Sequence, residues 1–127
     1  MTDAEFLSAF DDTTLEPFHH RDHLRVTYLY LAQFGREETE RRLGPAILRY
    51  AEARGGGAKY HQTITLAWIG LVARASKNTR DFEEMIVNHA ELLDKNLLQR
   101  HYSEARIGSD EARHGWIEPD LLPLPRD

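Results

Sequence analysis

Residues 64 to 73, ITLAWIGLVA, are the most apolar stretch of the chain, and any fold this sequence adopts has to bury them. A run of about ten such residues is half of what a membrane span needs, so it belongs to a protein core. Its head is polar. Tyr60, His61, Gln62 and Thr63 stand directly before it, and such groups cost free energy to bury without partners. The β-branched residues would suit a buried strand. The length of the pattern, with helical patterns on both sides, predicts a helix from about His61 to Ser76 instead.

The flanking patterns fit the same class. Thr2 and Asp3 open a short helix carrying Phe6, Leu7 and Phe10, and DDTTLEP reads as a turn. A second helix is expected from His20 to Phe34, stopped by Gly35. Its face of Leu24, Tyr28, Leu31 and Phe34 is widened by Val26, Leu29 and Tyr30, which marks it as central. A third begins near Arg36, with Glu37–Arg41 and Glu38–Arg42 as i,i+4 pairs. Gly44-Pro45 should interrupt it, as a kink or as a break, and Gly55 should cap its end. After the GGGA loop and the core helix, Asn78 or Thr79 is expected to cap a fifth helix. Phe82, Met85, Ile86, His89 and Leu93 form its stripe, with Leu97 and Leu98 as candidates to continue it. The remainder reads as a loop, a short helix capped by Ser109 and an extended tail. The expected architecture is all-α: one domain over residues 1–127, a bundle of four main helices with short flanking helices and an extended C-terminal tail.

Composition narrows the functional classes. A net charge of −5 argues against nucleic acid as a partner, and no segment suits a membrane. No charged segment followed by an apolar one opens the chain, so no signal peptide is expected. Zero cysteines exclude disulfides and thiolate ligands and fit a reducing, cytoplasmic setting. Seven histidines draw attention. His20 and His23 are three apart on one helical face, roughly a turn from each other, while His19 points about 100° away. Short loops make successive bundle helices antiparallel, so the second and fourth helices should run in the same direction. His61 would then join His20 and His23 at one end of the core.

Helix N-termini favour neutral imidazole, the metal-binding form. The expected site is one divalent ion, Zn, Fe, Cu or Ni, held by His20, His23 and His61. Gln62 or His89 would supply a fourth ligand or orient a water, although a core histidine bonded to its neighbours is the stronger reading of His89. Thr27, Tyr60, Thr63 and Thr65 would support the ligands. Tyr30 would line the cavity, and Tyr102, Ser103, Arg106, Ser109 and Arg113 suit an anionic substrate group. Against that, the tail could simply pack through Ile107, Trp116, Ile117 and Leu121. His101 and His114 are expected at the surface.

Three segments, FHHRDHLRVTYLYLAQFG, KYHQTIT and HYSEARIGSDEARHGWIEPDLLPLP, together resemble a family of small, uncharacterised bacterial all-helical proteins. That family shows F-x-H-x-x-H-[LV] and K-Y-H-E-T motifs and a Y-S-x-E-R-like tail ending in P-D and L-P. The resemblance spans about Phe18 to Pro125. It implies importance for His20, His23, Tyr60, His61 and Thr63, and prefers His20 to His19. This chain departs at Gln62, where the family pattern has a carboxylate. Gln62 cannot accept a proton at neutral pH, so a mechanism needing a base there is in doubt.

Three functions compete on these grounds. The first is a small metal-dependent enzyme acting on a small molecule, with the GGGA loop as a hinge for access. The second is a non-catalytic metal-binding or sensing module. The third is a helical interaction protein, a homodimer through Trp116, Ile117 and the leucine-rich tail, with no metal.

Overall fold

The computed structural model describes residues 1–125. Among the described residues there are six α-helices and no strand: α1 (Asp3–Asp11), α2 (His20–Ala53), α3 (Gln62–Ala75), α4 (Phe82–Asn88), α5 (Glu104–Ile107) and α6 (Asp110–His114). Single 3-10 turns cover Gly57–Lys59, Ala90–Leu93 and Leu97–Arg100. The chain is therefore all-α. Its contacts fall into two compact units, residues 1–60 and the chain from His61 onward.

In the first unit, Thr2 caps α1 in a reciprocal box: its hydroxyl accepts from the Glu5 amide while the Glu5 carboxylate accepts from the Thr2 amide. This start directs Phe6 and Phe10 inward. Phe10, only 1% exposed, is the hub of the unit. Its ring stacks on Phe18 and on Tyr50 at 5.6 Å each and meets the edge of Tyr30 at 6.2 Å. In a continuous helix Tyr30 and Tyr50 would stand about 30 Å apart. They share one neighbour because α2 breaks at Gly35, whose φ of 79° and ψ of 169° suit glycine. The helix stop predicted there is found.

Gly44-Pro45 does not break α2 into two helices, one of the two outcomes expected there. Leu43, Gly44 and Ala46 are buried there while Arg41 and Pro45 are exposed. Water can satisfy the Arg41 carbonyl that the proline leaves without a donor, so the local cost is small against the burial retained. Gly55, with φ 75°, follows the end of α2 as anticipated.

The second unit is built on α3, whose Ile69 and Val72 have no exposed surface. α6 packs along it. Ser109 caps α6 as expected, and Ser103 caps α5, a helix not foreseen. The α4 region also departs from expectation. Its cap is Asp81, whose Oδ1 accepts from the Glu84 amide at 2.9 Å, and not Asn78 or Thr79. The helix ends at Asn88, because His89 leaves helical geometry (φ −135°, ψ 58°). A straight continuation would have buried Leu93. The break leaves Leu93 43% exposed and turns Leu92, Leu97 and Leu98 into the core in its place.

Candidate functional site

The start of α2 is fixed by local bonding. The His19 amide donates to Asp22 Oδ2 at 2.9 Å, and the Phe18 ring lies 5.4 Å from the His23 ring, an apolar clasp across the first turn. His20 and His23 thus sit on consecutive turns of one face, both half-buried. Burial, and secondarily the neighbouring His20, push the His23 imidazole down to about 4, so His23 is neutral at pH 7. Thr27 does not bond a histidine ring. Its hydroxyl donates to the His23 backbone carbonyl at 2.8 Å. The Tyr30 hydroxyl donates to Asp11 Oδ1 at 2.8 Å, and burial, joined by that carboxylate, raises its pKa strongly.

A pH dependence follows from His23. Unfolding returns it from about 4 to the ordinary 6.5, so between those values the unfolded chain binds more protons. The stability contributed by neutral His23 is fully present above the upper value, declines as pH falls, and is gone below the lower one. Urea unfolding of wild type against His23→Gln should show a difference in slope across that window, amounting to at most about 3 kcal/mol. Parallel curves would contradict this environment for His23.

In the second unit His61, Thr63 and Thr65, at the head of the core helix, bond to backbone. His61 is the N-cap of α3: its Nδ1 accepts from the Ile64 amide at 3.1 Å. That bond requires the proton on Nε2, which lies 2.6 Å from the Ile107 carbonyl and donates to it. Thr65 donates to the His61 carbonyl at 2.9 Å. Thr63 donates to the Gly115 carbonyl at 2.6 Å and accepts from the Ile117 amide at 3.2 Å. His61 and Thr63 therefore tie the start of α3 to α5 and to the segment after α6. Tyr60 and Gln62 are half-buried beside them.

The tail folds back as a strap. The Tyr102 hydroxyl donates to the Ile117 carbonyl at 2.7 Å, and burial, then nearby Glu118, push its pKa up to about 12. Ser103 donates to Asp120 through both amide and hydroxyl, which holds that carboxyl below the usual range. Arg106 Nε donates to the Glu118 carbonyl at 2.6 Å. Arg106 and Tyr102 thus hold the strap through these atoms; Arg113 is half-buried. His101 is buried, against the expectation of a surface residue, with Nδ1 2.9 Å from the Leu122 carbonyl. His114 is exposed as expected. His89 Nδ1 lies 3.4 Å from Glu91 Oε1, off the helical stripe it was assigned to.

The structure thus joins His20 with His23, and His61 with Ile107. Among the described residues, no three histidine, cysteine, aspartate or glutamate side chains form a ready ion-binding group. Sequence reasoning missed Ile107, Gly115, Ile117 and Asp120 as partners, since three of the four contribute backbone atoms that leave no mark in side-chain identity. Neither a protein-family model, nor a curated protein, nor a solved structure matches the chain.

Proposed function

We propose that the protein binds one divalent transition-metal ion through His20 and His23, with His61 as third ligand, and acts as a small metal-dependent enzyme on a small molecule. The observation that carries this reading is the His20–His23 pair, a turn apart on one helical face with His23 held neutral, the form that coordinates metal. His61 is added from the sequence expectation of an up-and-down bundle of four main helices, in which its helix would run parallel to the one opened by His20. To ligate, His61 must release a hydrogen bond, and Nε2 is the nitrogen that can do so without uncapping α3. With three imidazoles the fourth position is left for water or substrate, where the ion would act as Lewis acid or lower the pKa of water.

Tag-free protein analysed by plasma mass spectrometry should carry close to one metal per chain. His20→Ala and His23→Ala should each lower the occupancy at least tenfold. Loss with His61→Ala as well supports three ligands, and its retention reduces the site to the pair. An exchangeable water on the cobalt-substituted protein separates the enzyme from a closed sensing module. Metal-free protein whose melting temperature is unmoved by Zn, Ni, Cu or Fe would leave the metal-free interaction protein as the surviving reading.

A further inference from the structure

A groove in the second unit is lined by none of the proposed metal ligands, although it includes Tyr102 and Ser103, expected from the sequence to meet a substrate. It encloses about 550 Å³, within the range of small-molecule sites. Ile64 and Trp68 of α3 form one apolar wall; Leu98, Ile107 and Leu121 complete the lining. The walls are held in place. Leu121 is fixed by its backbone N–H, which donates to the His101 carbonyl at 2.9 Å, and the neighbouring Tyr102 is anchored through its hydroxyl. Even so, Leu121 is 58% exposed and Ile64 36%, apolar surface kept uncovered by backbone that is firmly bonded.

The polar lining has a definite charge pattern. Ser103 is committed to Asp120, and Gln99 Nε2 reaches Asn96 Oδ1 at 3.5 Å. Lys95 and Glu104 also line the groove, and among the described residues neither enters an ion pair. One cation and one anion therefore border an apolar trough. A simple carboxylate would meet Lys95 but be repelled by Glu104, and a simple amine would meet the converse. A molecule carrying both charges satisfies both.

We propose that this groove binds a small zwitterion with an apolar body, its carboxylate on Lys95 and its ammonium on Glu104. An apolar amino acid and a short apolar peptide share that chemistry. The proposal is independent of the metal site and is tested on metal-free protein, so the two fail separately.

Trp68 lines the groove and Trp116 does not, so Trp68 emission in a Trp116→Phe chain reports occupancy. The probes are leucine, leucyl-leucine, N-acetylleucine and leucinamide. Leucine or leucyl-leucine should give a saturable change with a dissociation constant below about 1 mM. Whichever binds tighter identifies the source as amino acid or peptide. N-acetylleucine and leucinamide, each lacking one charge, should bind at least tenfold more weakly. Lys95→Met and Glu104→Gln, both at exposed positions, should each weaken the zwitterion at least tenfold, and Glu104→Gln should improve N-acetylleucine. No saturable signal with any probe overturns the proposal. So does equal binding of N-acetylleucine and leucine, or wild-type affinity in both folded variants.

Discussion

His61→Ala is expected to lower the stability of the protein by about 2–4 kcal/mol, and His61→Asn by about half as much. Alanine removes the N-cap of α3, worth about 0.5–2 kcal/mol, and leaves the Ile107 carbonyl without its donor, about 1–3 kcal/mol more. Asparagine is a good cap and restores the first contribution only. Urea unfolding of the three proteins reads the split. Equal losses for both variants would assign the effect to the Ile107 bond, and unchanged stability in both would contradict the double engagement of His61. The result also bears on the metal reading, because an ion on Nε2 has to replace the Ile107 bond in the wild type.

Phe10→Ala should have the largest effect in the first unit, about 3–5 kcal/mol, measured by the same unfolding transition. The ring touches Phe18, Tyr30 and Tyr50, which come from the loop before α2 and from either side of its break at Gly35. Removing it opens a cavity at the point where the two segments of α2 meet α1. Phe10→Leu, which keeps most of the volume, should cost clearly less. A loss under about 1 kcal/mol for the alanine variant would mean that the aromatic cluster does not hold this unit together.

The features that proved legible in the sequence are those set by chemistry within a few residues. Thr2 and Ser109 cap helices because a short hydroxyl can reach an amide three residues on. Gly35 marks a break because its backbone geometry excludes other residues at little cost only to glycine. The core helix was placed to within a residue at each end, since its apolar run is bounded by cap residues. What escaped is non-local. The stripe from Phe82 to Leu93 looked continuous, but burying Leu97 and Leu98 required the chain to turn at His89. His101 looked like a surface residue because its partner is the backbone of Leu122, 21 positions away. At the candidate site, the His20–His23 pair is a one-turn relationship and could be read directly. The bond from His61 to Ile107 crosses 46 positions and ends on a carbonyl, so no pattern of side chains announces it. In the polar head of the core helix, His61 and Thr63 are answered by backbone partners, whatever else they bind.

Metal binding by the His20–His23 pair is read out on the histidine side chains themselves. Long-range nitrogen–proton correlation spectra of uniformly nitrogen-15-labelled, tag-free protein, recorded during a zinc titration at pH 7.5, report the bonding state of every ring nitrogen. Signals are assigned with single His→Gln variants. One ring nitrogen in each of His20 and His23 should change in slow exchange and saturate at one equivalent of zinc. His61 Nε2 should lose its proton in the same step. Spectra in which the His20 and His23 rings stay unshifted past one equivalent would contradict metal binding by this pair.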